Sequence, residues 1–202
     1  MKDMSQSIVQ TLHASLAVRQ ATLRELSEQI TTAGLWIIET LHSGGRLYIF
    51  GNGGSGAIAQ HFAGELLGHF SAPNRIPLPA LALSADATVL TGIANDYGYA
   101  EIFARQVKAL VKPEDIAIGM STSGASENIL RGLESARANN AKTIALTGQY
   151  GLARPVADMI VAISSNDTAL IQEEHLAIVH AWCKTIELVK IPNQDTSMAM
   201  KF

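Results

Sequence analysis

The sequence predicts an α/β fold: a doubly wound sheet of five parallel strands, flanked by helices and preceded by N-terminal helices. Short apolar runs alternate along the chain with longer segments whose apolar residues recur every three or four positions, as in alternating strands and helices. A glycine-rich stretch also lies between the first strand and the next helix. Because such sheets bind ligands beyond the carboxyl ends of their strands, we expect the functional site at that edge.

The first 43 residues have a helical pattern and contain no proline. Gly34 is predicted to interrupt this segment before a second helical run at 35–41. The apolar stripe of the segment needs a surface to cover it, which is either the sheet of the same chain or the helices of another subunit. The stripe comprises Ile8, Leu12, Leu16, Leu23, Leu26 and Ile30.

Beyond this segment one domain is expected at 44–190, followed by a loose tail at 191–202. The predicted strands are 46–50, 78–83, 115–120, 142–146 and 159–163. The predicted helices are 57–70, 87–94, 99–110, 127–139 and 168–190, with a short turn or helix at 151–157.

Composition excludes several classes of function. The 202 residues are 48% hydrophobic and 16% charged, which suits one globular domain, and the net charge of −3 with scattered Lys and Arg disfavours nucleic-acid binding. No run of about 18 apolar residues and no secretory signal pattern occurs. Cys183 is the only cysteine, so an intrachain disulfide is excluded. We therefore expect a cytoplasmic protein without a membrane partner.

The glycine-rich stretch GNGGSG at 51–56 predicts an anion site, because its backbone N–H groups and the following helix N-terminus converge. It also matches the dinucleotide fingerprint G-x-G-x-x-G, but no acidic residue lies between Glu65 and Asp86 to bind a ribose. A Walker loop is absent, and residues 53–57 lack the final glycine of a nucleophile elbow. Phosphate is therefore the expected ligand, rather than a nucleotide.

A second loop of this kind follows the third predicted strand. Ser121, Thr122, Ser123 and Ser126 lie within six residues, immediately before another helix. Hydroxyl groups and a helix N-terminus suit phosphate, although Ser126 could instead be an ordinary N-cap and the others turn residues. Two such loops at strand ends favour a small phosphorylated metabolite.

Titratable residues lie on the helices beside these loops. His61 and Glu65 are four residues apart, so they share one helix face and could share a metal ion or a proton-transfer task, or form an exposed pair. On the last helix, Glu174 and His175 are predicted to lie on the exposed face, whereas His180 lies within an apolar run.

Several of these segments occur in an order typical of one family. They are GNGGS at 51–55, QHFA at 60–63 with Glu65, Asn95-Asp96, STSG at 121–124 with Ser126, LTG at 146–148, and IQE at 171–173 with His175 and His180. The combination resembles the phosphoheptose isomerases, sedoheptulose 7-phosphate isomerases of the sugar isomerase (SIS) fold, over about residues 45–187. It implies a SIS-type domain and heptose supply for bacterial lipopolysaccharide or capsule. It also implies a homotetramer with active sites at subunit interfaces and residues 1–43 in a central bundle.

The resemblance further implies roles for individual residues. Glu65 would be the base and His180 the acid of an aldose-ketose isomerisation to D-glycero-D-manno-heptose 7-phosphate through an enediol. One zinc ion per subunit would lie near His61, Glu65, Gln172 and His180, although Gln172 and His180 are separated by about 12 Å along a helix. The sugar phosphate would be bound by Asn52, Gly53, Gly54, Ser55, Asn95, Asp96, Ser121, Thr122, Ser123, Ser126 and Gln172.

The chain departs from the family pattern at a few positions. Ile58 and His69 stand where members commonly have Asp and Arg, and Ala169 and Leu170 stand where many have Asp-Arg. The alternative function is a non-catalytic binding module that resembles the DnaA initiator-associating protein. The positions of Glu65 and His180 are replaced in that relative, and their presence here favours the enzyme.

Overall fold

A parallel sheet of five strands forms the centre of the fold, as the sequence predicts. The computed structural model describes residues 2–189 and 191. The strand order is β2-β1-β3-β4-β5, with β1 hydrogen-bonded to both β2 and β3. The strands are β1 (Leu47–Gly51), β2 (Ala80–Ala82), β3 (Ile116–Ser121), β4 (Lys142–Thr147) and β5 (Met159–Ala162). The helices are α1 (Lys2–His42), α2 (Gly53–Leu67), α3 (Ala87–Tyr97), α4 (Ala104–Leu110), α5 (Glu127–Ala138) and α6 (Thr168–Ile186), with a 3-10 turn at Tyr99–Glu101.

Helices cover both faces of the sheet, because successive side chains of each strand point to opposite sides. In β1, Leu47 and Ile49 contribute to the core beneath α1, α2 and α6. Tyr48 and Phe50 contribute to the core beneath α4 and α5. A strand buried on both faces is a continuous apolar run, which is why this one was recognisable in the sequence.

The predicted interruption at Gly34 is wrong, since α1 is one helix of 41 residues, about 60 Å long. Gly34 lies inside this helix against the indole of Trp182, and a β-carbon at this position would be 2.8 Å from Trp182 Cδ1. The Trp182 Nε1–H also donates a hydrogen bond of 2.9 Å to the Ile30 carbonyl. The glycine therefore permits close packing of α6 on α1, rather than breaking the helix.

The first alternative for the N-terminal segment, contact with the sheet of the same chain, holds for the second half of α1, while pairing with another subunit stays a prediction. This second half covers the sheet, and Ala33, Ile37 and Leu41 are fully buried there. Most of the predicted stripe remains on the surface, although Leu26 and Ile30 are partly buried against the core. The exposed apolar side chains are Met4, Ile8, Val9, Leu12, Leu16 and Leu23, each at least 52% exposed.

Smaller differences concern the connections. The predicted helix 99–110 is divided into the 3-10 turn and α4, and residues 151–157 contain no helix. The predicted tail at 191–202 lies outside the described residues, apart from Ile191. Within the part of the chain that the structure describes, no helix is both long and apolar enough to cross a membrane.

Candidate functional site

The first predicted loop begins where β1 ends. Gly51 closes the strand, Asn52 precedes the helix, and α2 starts at Gly53 rather than at the predicted Ala57. The glycines are thus the first turn of α2, and Gly53 has a φ of 53°, which glycine adopts without strain. Ser55 is buried in this turn. The backbone N–H groups of the turn face the carboxyl edge of the sheet.

The second predicted loop begins where β3 ends, and its serine hydroxyls lie close together. The Ser121 Oγ is 3.2 Å from the Ser126 Oγ and 3.5 Å from the Ser123 Oγ. Thr122 holds the loop against the next one, because its carbonyl accepts a hydrogen bond of 3.1 Å from the Gly148 N–H. Since β1 and β3 are neighbours, this cluster lies beside the start of α2.

The N-cap residues of the helices at these two loops do not cap them, whereas those of α3 and α6 do. Asn52 and Ser126 occupy the N-cap positions of α2 and α5 but make no capping hydrogen bond. Asp86 and Asp167 each accept two backbone N–H bonds at the starts of α3 and α6. Ser126 is therefore the N-cap residue of α5 by position, but its hydroxyl does not cap the helix. Uncapped N–H groups at two adjacent helix ends form a site for an anion.

Gln172 lies on α6 beside the first turn of α2. A β-carbon built on Gly54 would be 2.6 Å from the Gln172 Oε1, so the carboxamide packs directly on the glycine. This position brings Gln172 to the first of the two loops. His180 lies two turns further along α6, and Gln172 as a metal ligand stays a prediction that requires its side chain to move.

His61, Glu65 and His180 meet where α2 and α6 pack together. The Nε2 atoms of the two histidines are 2.8 Å apart, and the His61 Nε2 is 3.5 Å from the Glu65 Oε1. The ring of Phe70 packs on His180, with 5.4 Å between ring centroids. Glu65 is 21% exposed and His61 42% exposed, so solvent or a ligand can reach the group. The sequence pattern placed this His/Glu pair on one face, and the structure adds His180 to it.

The donor atoms of this group suit zinc, but their present arrangement is not that of a finished metal site. Imidazole nitrogens and a carboxylate oxygen are common zinc ligands. Within the described residues, no three His, Cys, Asp or Glu side chains are arranged to hold a metal ion. Two nitrogens on one tetrahedral zinc are about 3.3 Å apart, so the imidazoles, now at 2.8 Å, would have to separate slightly.

Glu187 and Arg75 hold the segment that follows α2 against the end of α6, and sequence reasoning missed both. The Glu187 carboxylate accepts bonds from the Ser71 hydroxyl and from the N–H groups of Phe70, Ser71 and Ala72. Burial alone would raise its pKa, but these hydrogen bonds outweigh burial and lower the pKa to about 2. Arg75 donates to the Glu65 carbonyl at 2.7 Å. The pair therefore positions the ends of both helices near the histidines.

The other two predicted substrate residues lie apart from this group. Asn95 and Asp96 are exposed at the end of α3, and the Asn95 amide donates a 2.8 Å hydrogen bond to the Asp96 carboxylate. Three residues further on, the Tyr99 hydroxyl donates to the Asn52 Oδ1 at 2.9 Å. The end of α3 is thereby connected to the start of α2.

The prediction that Glu174 and His175 are exposed is wrong. Glu174 is 1% exposed, and its two carboxylate oxygens share a bifurcated hydrogen bond from the Arg19 Nε–H of α1, at 2.7 and 2.8 Å. His175 is fully buried, and its Nε2 lies 3.2 Å from the Thr147 carbonyl. Burial lowers the pKa of His175 to about 4. These polar residues face α1 and the sheet because α6 is covered on more than one side.

The comparisons with known proteins assign the class. A SIS-domain family model matches residues 12–148, so the chain is a SIS-domain protein. The phosphoheptose isomerase of Helicobacter pylori strain P12 is 46% identical over 167 residues, which cover 82% of this chain and 86% of that protein. That of Trichlorobacter lovleyi is 45% identical over 185 residues, covering 91% and 94%.

Solved structures agree with this assignment. The phosphoheptose isomerase of Neisseria gonorrhoeae has a TM-score of 0.84 at 33% identity, and the match covers 92% of this chain and 100% of that one. The enzyme from Francisella tularensis has a TM-score of 0.83 at 37% identity, covering 91% and 98%. The chain therefore belongs to the phosphoheptose isomerase family, and it is an isomerase.

The buried His175 predicts a pH dependence of stability. Its pKa is about 4 in the folded chain and about 6.5 when unfolded, so its contribution is present above pH 6.5 and is lost as the pH falls toward 4. The free energy of unfolding can be measured with urea at one protein concentration. Between pH 7 and pH 5 it should fall by about 2 kcal/mol more in the wild type than in His175→Gln. Gln is the control because it can still donate to the Thr147 carbonyl but does not titrate. Equal losses of unfolding free energy in the two proteins would contradict the lowered pKa of His175.

Proposed function

We propose that this chain converts sedoheptulose 7-phosphate to D-glycero-D-manno-heptose 7-phosphate through an enediol, with Glu65 as base and His180 as acid. The relatives named phosphoheptose isomerase support the coarser statement that it is a sugar-phosphate isomerase of heptose biosynthesis. The observation that carries the finer proposal is the meeting of Glu65, His61 and His180 at one end of the contact between α2 and α6.

The other end of that contact suits the phosphate group. Two uncapped helix N-termini and the hydroxyl groups of Ser121, Ser123 and Ser126 supply neutral donors there. From Gly54 to His61, α2 rises by about 10 Å, a distance that an extended seven-carbon sugar phosphate can span. The phosphate at one end would hold the carbonyl end of the sugar near the titratable residues.

The reaction moves one proton between two carbons. Glu65 takes a proton from carbon 1 of the ketose, which leaves an enediol, and returns a proton to carbon 2 to form the aldose. His180 transfers the proton between the oxygens of carbons 1 and 2, so no net charge accumulates. Both side chains are partly accessible and lie on separate helices, which suits groups that act on adjacent atoms of one substrate.

Replacement of the proposed base tests this mechanism. Glu65→Gln should lower turnover by roughly 10² to 10⁴ without unfolding the protein, since Gln is isosteric but cannot accept a proton. The measurement is proton NMR of sedoheptulose 7-phosphate in D₂O, which reports both the aldose and deuterium at carbon 2.

The matched control is Glu173→Gln, the same change at an exposed position of α6, which should keep wild-type turnover. Near-normal turnover of Glu65→Gln would remove Glu65 from the mechanism. A folded wild type that converts no substrate would favour the alternative, a binding module.

We also propose that zinc binds at His61, Glu65 and His180, with Gln172 as a further ligand if its side chain moves. The support is the donor set and the near approach of the two imidazoles. When bound, zinc would polarise the substrate carbonyl.

The zinc proposal predicts that His61→Ala loses metal while the matched change at exposed His69 does not. After dialysis against zinc, elemental analysis should give about one zinc per wild-type chain and markedly less for His61→Ala. Equal zinc contents in wild type and His61→Ala would reject this site.

Finally, we propose that the exposed stripe of α1 forms contacts between the subunits of a homotetramer. Five of its side chains, Met4, Ile8, Leu12, Leu16 and Leu23, are 60% or more exposed in the single chain. An apolar stripe along one side of a long helix is typical of a helix that pairs with others.

A charge on this stripe should therefore reduce the number of chains in the oligomer. Light scattering during size-exclusion chromatography should give a mass of four 21.5-kDa chains for wild type and a smaller one for Leu12→Glu. Gln10→Glu adds the same charge on the opposite side of α1 and should stay tetrameric. A monomeric wild type, or a Leu12→Glu variant of wild-type mass, would contradict the proposal.

A further inference from the structure

A pair of amide side chains, one buried and one partly buried, joins the two loops. Asn52 stands immediately before α2, and Asn128 is the second residue of α5. The Asn52 Nδ2 donates to the Asn128 Oδ1 at 2.9 Å, and the Asn128 Nδ2 donates back to the Asn52 Oδ1 at 2.8 Å. Asn128 is 2% exposed, so neither bond competes freely with water. The pair therefore fixes the two helix N-termini relative to each other.

Backbone and side-chain contacts determine the orientation of both amides. The Ile129 N–H donates to the Asn128 Oδ1 at 3.0 Å, which identifies that atom as the oxygen. The amino group of Asn128 must then face the Asn52 oxygen, which also accepts the Tyr99 hydroxyl at 2.9 Å. Each of the two carbonyl oxygens accepts two hydrogen bonds, its full capacity.

These hydrogen bonds change the role expected for Asn52. Its side-chain oxygen is occupied by protein donors, and its side chain does not cap α2. What remains open at this helix end are the backbone N–H groups of the first turn. At α5 the Ser126 side chain makes no capping bond, and the Asn128 Oδ1 accepts the N–H of Ile129, which leaves the two N–H groups before it for a ligand.

We propose that Asn128 is a positioning residue which, through Asn52, sets the spacing of the two uncapped helix N-termini so that they bind one phosphate group. Asn52 acts in this pair as the partner of Asn128, and the substrate is bound by the backbone around it. The proposal rests on the phosphate site of the proposed function, and it adds a residue and a role that the resemblance does not supply.

The test is calorimetric binding of inorganic phosphate to the full-length chain, combined with steady-state kinetics. In Asn128→Ala, phosphate affinity should fall about 10-fold and KM should rise by a similar factor, since the partly buried amide of Asn52 loses its partner. The value of kcat should change much less, because Glu65 and His180 lie at the other end of the site. If Asn128 had only a structural role, Asn128→Ala would lower thermal stability but would not raise KM while leaving kcat nearly unchanged.

A double-mutant cycle tests the route through Asn52. If Asn128 acts through that residue, Asn52→Ala and the double variant should each lose about as much phosphate affinity as Asn128→Ala. Asn139→Ala is the control, because its amide donates to the carbonyls of Val107 and Val111, outside this pair. It should change neither phosphate affinity nor KM.

Each outcome separates the two proposals. Unchanged phosphate affinity and KM in Asn128→Ala would overturn the positioning role, as would additive losses in the double variant. Phosphate binding by a wild type that isomerises no heptose would reject the proposed reaction while the cycle still tests Asn128. A wild type that isomerises the heptose but binds no inorganic phosphate would overturn the positioning role and leave the proposed reaction standing.

Discussion

The close packing of α2 against α6 is the constraint on which the site depends. At one end Gly54 admits the carboxamide of Gln172, because a β-carbon there would meet it at 2.6 Å. At the other end the imidazoles of His61 and His180 approach to 2.8 Å. A β-carbon at position 54 would displace the Gln172 carboxamide from this end of the contact. A glycine that looks like a flexible loop residue thus allows Gln172 to pack on the first turn of α2.

The order of the strands supplies the second half of the arrangement. Since β1 and β3 are neighbours and parallel, the helices that follow them begin side by side. Their uncapped N-termini make that end of the site attractive to anions, whereas α3 and α6, whose starts are capped by Asp86 and Asp167, have no such capacity. In the proposed function, binding of the anionic group and proton transfer lie at opposite ends of a single helix, α2. This division would keep the charge of the phosphate away from the carboxylate of Glu65.

Local patterns in the sequence predicted the strands and both loops, because apolar runs and clusters of Gly or Ser are short-range signals. The signals failed where a partner distant in sequence determines the role. Gly34 accommodates Trp182 across two helices, and the buried positions of Glu174 and His175 reflect contacts with α1 and β4. Glu187 is bonded to backbone groups 115 to 117 residues earlier, which no periodicity can reveal. The grouping of His61, Glu65 and His180 came from the resemblance to a family. Because His180 is far from the other two along the chain, no local pattern could have predicted it.

The bonds made by Glu187 affect how the kinetics of this chain can be interpreted. The segment that carries Phe70, whose ring packs on His180, is held by a carboxylate with a pKa of about 2. That carboxylate stays ionised across the whole range in which an isomerase can be assayed, so the segment is not released by mild acid. The acid limb of a rate profile will then not report the release of this segment. The support of His180 that comes from Glu187 is thus constant over the range in which the buried His175 titrates.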